Sequence, residues 1–254
     1  MGPHILETRL VNLLLESLAP SLRDLALAFP FGVLLGAFGL TIMGKLRTGG
    51  VDVAWTRKGL HFLFFTTAAI LMPLSGLATV CAWGAGASLP IFFGLVRGEG
   101  HPWYEAVARP SDAPRRTSHV VVPYLMTVAG GLSSTLLFGP AAAQAGFLVA
   151  GIGDAVGEPV GRAWGRRRYR VLGFTKRTST RSLEGSAAVL LGSMVGLLIF
   201  LLAQGAPAWG SQALWVVGVG AALATLLEAV SPHSLDNVGM QLFPAWFVWT
   251  AGLG

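Results

Sequence analysis

Two carboxylates four residues apart, Asp154 and Glu158, interrupt an apolar, glycine-spaced stretch of this chain. Eight cations without a single acid follow them between residues 162 and 181. On a helix, that spacing puts both acids on one face, with Arg162 continuing it. A carboxylate pair completed by water oxygens is a hard-cation site, and Mg²⁺ bridging substrate phosphates is its usual occupant. Arginine forks match phosphate oxygens in pairs. The residues therefore suit a site that handles metal and polyphosphate. The basic run has a second reading, as an orientation signal or a contact with anionic lipid headgroups. Transition-metal chemistry is not indicated, because His4, His61, His101, His119 and His233 form no metal-ligand spacing. The one cysteine, Cys81, also excludes an intrachain disulfide.

After Asp112 the chain holds only five acids, Asp154, Glu158, Glu184, Glu228 and Asp236, each within or at the end of an apolar segment. A carboxylate in hydrocarbon costs ~2.5–3.5 kcal/mol on insertion scales, so acids in such places mark a pathway or a site. Gly153, Gly157, Gly161 and Gly165 form a four-residue ladder on an adjacent stripe. Such a ladder suits close helix packing, and it also admits a bulky ligand. Pro159 is expected to kink or break the helix just after Glu158. The turn Ser182-Leu183-Glu184-Gly185-Ser186 opens the next apolar segment as a helix cap, and its free N–H groups could also receive a phosphate. Arg57, Lys58 and His61 read either as snorkelling interface residues or as part of the same site. Glu228 with Asp236-Asn237 reads either as a solvated turn or as part of it.

The elements that must position these residues are membrane helices. Hydrophobic residues make up 53% of the chain and charged ones 12%, a composition foreign to soluble domains and typical of a multi-pass membrane protein. An all-α fold is expected, with about eight hydrophobic segments near 22–43, 59–73, 75–96, 118–138, 140–161, 183–204, 208–230 and 240–254. The second and last are short for a full span. Residues 1–21 lack the features of a signal peptide and read as an amphipathic segment on the membrane surface, followed by a single transmembrane domain over 22–254. The positive charge lies in three loops separated by even numbers of segments, so all three fall on one face. The positive-inside rule makes that face cytoplasmic, with both termini outside. The net charge of +6 thus reports orientation and not nucleic-acid binding. Arg far outnumbers Lys, which points to a bacterial inner membrane.

In order and separation, Arg57-Lys58-x-x-His61, Gly153-Asp154 with Gly161 and Gly165, the Ser182–Ser186 turn, and Glu228 with Asp236-Asn237 resemble the dolichol kinase/phytol kinase family of integral-membrane lipid-alcohol kinases. That family includes CTP-dependent diacylglycerol kinases and is distantly similar to phosphatidate cytidylyltransferases. The resemblance covers roughly residues 55–240. It implies transfer of the γ-phosphoryl of CTP, or another nucleoside triphosphate, to the hydroxyl of a phytol-, polyprenol- or dolichol-type alcohol, with Mg²⁺. By that analogy Asp154 belongs to the nucleotide–metal motif and Glu184 to the turn that follows it; with the spacing above, Asp154 and Glu158 are expected to hold metal and Glu184 to serve metal or nucleotide. Glu228 or Asp236 is a base on the lipid hydroxyl, with His61 a rival. The nucleotide and its phosphates fall to Gly153, Gly157, Gly161, Arg162, Arg166, Arg167, Arg168, Lys176, Arg181, Ser182, Gly185, Ser186, Arg57, Lys58 and Asn237. The chain departs from the family at Arg181, where lysine is usual, and at Glu158-Pro159, where small or apolar residues are usual. Two rival readings remain: a cytidylyltransferase-like enzyme that makes a CDP-lipid, and a transporter of an anionic solute with the carboxylates as a relay. The expected partners are the bilayer, the nucleotide and the lipid alcohol. The sequence is silent on oligomeric state.

Overall fold

The computed structural model describes residues 18–171, 179–206, 210–232 and 235–254. The expected amphipathic segment 1–21 lies outside the described residues except for 18–21, as do Lys176 and His233. Long apolar runs satisfy their backbone groups internally by forming helices. A π-helical turn, Asp24–Ala28, leads into α1 (Phe29–Thr48). The chain continues as α2 (Val53–Arg97), α3 (Ser118–Leu148), a second π-helical turn (Val149–Asp154) and α4 (Ala155–Trp164). Strands β1 (Arg168–Val171) and β2 (Ser179–Ser182) precede α5 (Leu183–Ala203), α6 (Ser211–Val230) and α7 (Asp236–Thr250). Among the described residues, five helices are long and apolar enough to cross a membrane: Asp24–Thr48, Val53–Arg97, Ser118–Trp164, Leu183–Ala203 and Ser211–Val230.

Two of these five are folded back on themselves. A straight helix the length of α2 would extend roughly 67 Å, about twice the hydrocarbon thickness. At Gly76 (φ 81°, ψ −179°) the helical path is broken, in a conformation open to glycine. The limbs on either side pack against the same helix: an added Cβ at Gly32 would lie 2.1 Å from the Trp83 carbonyl, and one at Gly39 would lie 2.9 Å from Leu63. The Phe64 and Trp83 rings meet at 6.2 Å, whereas a straight helix would hold them about 28 Å apart. The chain therefore reverses at Gly76. It reverses again at Gly139 (φ 88°), because Gly130 and Gly146 both abut Gln241. Pro140 then stands in the first turn of the returning limb, where its missing N–H costs nothing.

Among the described residues the long helices thus form eight helical rods, which correspond in order to the eight apolar segments. Several boundaries differ by a few residues, and two of these differences bear on the site. The second rod starts at Val53 and not at 59, because the Asp52 side chain caps it by accepting the Ala54 amide at 2.8 Å. The last starts at Asp236 and not at 240, which brings Asp236 and Asn237 from the expected turn onto the first turn of α7. The all-α expectation also needs amendment. Within the basic stretch, β1 and β2 pair antiparallel with Arg168 opposite Ser182 and Val171 opposite Ser179. Met72, Phe147, Leu197, Phe200, Met240 and Val248 are buried together at the centre. Outward-facing residues such as Leu34, Phe38, Leu191 and Leu214 are mostly exposed, the reverse of a water-soluble pattern.

Candidate functional site

The site forms where the start of α2, the end of α4, the hairpin and the adjoining ends of α5, α6 and α7 meet. Close approach of α4 to α5 is made possible by glycine. An added Cβ at Gly157 would lie 2.5 Å from Val189, at Gly185 2.8 Å from the Gly157 carbonyl, and at Gly192 2.8 Å from the Ile152 carbonyl. The ladder is thus a packing surface first. At its upper end, Gly161 and Gly165 also face the Ser182 hydroxyl. The helix does not break at Pro159; α4 runs on to Trp164. The irregularity lies earlier, in the π-helical turn that ends at Asp154, and such turns recur at functional sites.

Asp154 and Glu158 do not share one position. Asp154 is buried and accepts from Lys58 Nζ at 2.6 Å, with His61 Nε2 3.4 Å away. Glu158 instead accepts from Arg57 (2.5 Å) and Arg109 (2.7 Å), with Arg162 3.8 Å from its other oxygen. The carboxylates that do converge are Asp154, Glu228 and Asp236, each offering an oxygen within 4.8 Å of the others. Arg181 joins the last two, pairing with Glu228 and donating to Asp236 at 3.2 Å. Three hard oxygen donors drawn from three helices match what Mg²⁺ needs, with water or phosphate oxygens completing the shell. The structure thus groups Asp154 with Glu228 and Asp236, while Glu158 is held by arginines.

These groups wall a pocket of about 230 Å³. Its lining includes six cations (Arg57, Lys58, Arg109, Arg162, Arg168 and Arg181) and four carboxylates (Asp154, Glu158, Glu228 and Asp236), an excess of two positive charges. Gly157, Gly161, Ser182, Gly185 and Ser186 complete the wall among the expected residues. Ser182 also caps α5, its hydroxyl accepting the Gly185 amide at 3.1 Å, and Tyr169 meets the Ser186 hydroxyl at 2.7 Å.

Other expected residues stand apart from the pocket. Glu184 turns to the hairpin and accepts the Arg167 amide at 3.2 and 3.3 Å. Arg166 and Arg167 are exposed outside the wall, and Gly153 is packed on Ser193. Asn237 donates to the Pro123 carbonyl at 3.1 Å, fixing α7 to α3. Lys176 lies outside the described residues.

Arg109 is the residue the motifs missed. It lies in the second basic loop, and only the fold brings it to Glu158, although its apolar lead-in (Val107-Ala108) hints at burial. Burial first, and then the Arg57 charge beside it, lowers its pKa from the usual arginine value. The loop that carries it is clamped by Arg116, which pairs with Glu105 at 2.6 Å and donates to the carbonyls of Ala108 and Arg109.

The chain is 34% identical over 112 residues to the phytol kinase of Synechocystis sp.. That match covers 43% of this chain and 44% of the relative, so the two correspond over less than half of either length. No family model matches the chain, and no solved structure matches it.

Proposed function

We propose that this chain is a multi-pass membrane phosphotransferase that moves the terminal phosphoryl group of a nucleoside triphosphate, CTP first among them, to the hydroxyl of a lipid alcohol of the phytol or polyprenol type. Each rod crosses the bilayer once, and the charged end faces the cytoplasm of a bacterial cell. The observation that carries this reading is the pocket itself, in which guanidinium groups surround three converging carboxylates at the mouth of a membrane bundle. Phosphoryl transfer asks mainly for positioning and charge neutralisation, which such a wall supplies. Similarity to a protein named phytol kinase supports the same acceptor class.

In this reading Arg57, Arg109, Arg162 and Arg168 hold the polyphosphate, and Glu158 keeps the first two aimed. Asp154, Glu228 and Asp236 would hold Mg²⁺, which offsets charge on the phosphates. The hydroxyl oxygen forms a bond to the γ-phosphorus as the bond to the bridging oxygen breaks, and the nucleoside diphosphate departs. The hydroxyl proton goes to His61. The Ala150 carbonyl, 3.0 Å from His61 Nε2, can only accept, so Nε2 carries the hydrogen and Nδ1 keeps its lone pair.

The test is turnover by the purified protein with CTP, ATP and UTP against a panel of lipid alcohols, with Asp154→Asn as control. The expected products are a phosphorylated lipid and a nucleoside diphosphate in equal amounts, both lost in the variant. A CDP-lipid with pyrophosphate would overturn the kinase reading in favour of a cytidylyltransferase.

A further inference from the structure

Three cavities in the bundle adjoin one another through shared walls. Arg57, Lys58 and Asp236 of the polar pocket also line a vestibule of about 130 Å³, together with His61 and Asn237. Four further vestibule residues, Phe64, Ile91, Tyr124 and Thr127, also line a cleft of about 350 Å³. No Asp, Glu, Lys, Arg or His lines that cleft, whose walls include Phe65, Met72, Leu77, Trp83 and Phe147. Polarity therefore falls in one direction, from paired charges to a mixed waist to hydrocarbon-like walls.

The cleft is a product of the reversal at Gly76. Both limbs of α2 line it, and the first limb of α3 forms the facing wall. It stays open because one wall is built of small residues, Gly84, Ala85, Ala87 and Ser88, opposite larger ones. A Cβ added at Gly84 would meet nothing within 4 Å. Its rim reaches the outer surface of the bundle, where Ala85 and Val128 are exposed. Apolar cavities stay dry, and an empty one forfeits dispersion contacts along its whole lining. A groove of this chemistry, open sideways to the bilayer, is suited to an apolar chain.

We infer that the α2–α3 cleft holds the tail of a single-chain lipid alcohol, which enters sideways from the bilayer and delivers its hydroxyl to the vestibule beside His61 and Asp236. This rests on reading the polar pocket as a phosphoryl-transfer site. The occupant has one chain because the waist, about 130 Å³, is small, and diacylglycerol would bring two ester groups and two diverging chains to that place.

The test uses the full chain in detergent or nanodiscs and a long-chain prenol carrying a diazirine at its tail end. Photolabel is expected in peptides covering 77–91 and 124–132, displaced by unlabelled prenol but not by diacylglycerol. It should be largely lost in Gly84→Phe, which fills the cleft, and kept in Gly218→Phe, the same change at an exposed glycine with open space on α6. Leu132→Trp, on the facing wall, replaces Gly84→Phe should that variant fail to fold. Label spread over α5 and α6, or unaffected by filling the cleft, would overturn the inference. Equal displacement by diacylglycerol would overturn its single-chain part. Phosphoryl transfer is measured on the same preparations. Cleft labelling by a wild-type protein that transfers no phosphate would sustain the lipid site and sink the kinase reading, so the two failures are distinct.

Discussion

His61 stands where the polar and apolar parts of the site meet, its ring tilted against Phe65 at 4.3 Å and its Nε2–H held by the Ala150 carbonyl. In the proposed reaction a side chain fixed in this way serves as the base and adds little to nucleotide binding. His61→Gln should therefore lower kcat about 100-fold or more while the KM for nucleotide stays close to wild type. A rise in KM with kcat unchanged would assign His61 to binding. Glu105 presents a different residue-scale question, one of stability. Burial works to raise its pKa, but the Arg116 hydrogen bonds, helped by the Gly100 amide, outweigh it and hold the carboxyl below its ordinary value. A carboxylate with a depressed folded-state pKa contributes stability that is complete above its unfolded value, about 4.3, and is lost as pH falls through the folded one. Thermal unfolding of wild type and Glu105→Gln in detergent should thus differ by a constant margin above about pH 5, and the margin should shrink on further acidification. A margin independent of pH would mean that the Glu105–Arg116 pair contributes nothing through charge. Because Arg116 also clamps the Arg109 loop, the same variant should weaken nucleotide binding.

At the scale of elements, the helix faces were more legible than the turns that join them. Apolar runs marked the rods, and the glycine ladder marked a close-packing surface without its partner, because a backbone-to-backbone approach leaves no room for Cβ. Gly192→Ala tests that contact directly. Its new Cβ would lie 2.8 Å from the Ile152 carbonyl and 2.9 Å from Gly153 Cα, so α5 must move off the π-helical turn that carries Asp154. Overpacking of this kind costs about 1–3 kcal/mol, and the shift should reduce turnover along with the melting temperature. Gly218→Ala, in open space, should change neither. What the sequence could not reveal were the pairings made across the bundle. Asp154 and Glu158 share a helix face, yet Lys58 claims one and Arg57 with Arg109 the other, a choice fixed by how α2 and the second basic loop lie against α4. Asp236 was read as part of a turn because its helix starts earlier than the apolar run does. The β1–β2 hairpin is hard to read from sequence because Arg168-Tyr169-Arg170-Val171 alternates over only four residues and its partner Ser179–Ser182 is wholly polar.

At the scale of the whole molecule, the distribution of charge makes the topology a testable statement. Among the described residues, Arg57, Arg109, Arg162 and Arg181 gather on one side through Arg57–Glu158, Arg109–Glu158, Arg162–Asp52 and Arg181–Asp236. The turns at Gly76 and Gly139 carry no charge. Basic loops are retained on the cytoplasmic side during insertion, so the charged end should face inward, where nucleoside triphosphate is available. The single native cysteine makes this simple to examine. In a Cys81→Ala background, Ser75→Cys lies beside the uncharged reversal and Arg166→Cys lies at the exposed start of the hairpin region. A membrane-impermeant maleimide applied to intact cells should label Ser75→Cys and leave Arg166→Cys untouched until the membrane is permeabilised. The opposite pattern would put the phosphate-binding wall outside the cell and remove its nucleotide supply. Labelling of both from outside would mean that one of the three rods between them, the second limb of α2 or a limb of α3, does not cross. Loss of the second limb of α2 or the first limb of α3 from the membrane would also close the sideways route from the bilayer to the vestibule, because the cleft lies between these limbs.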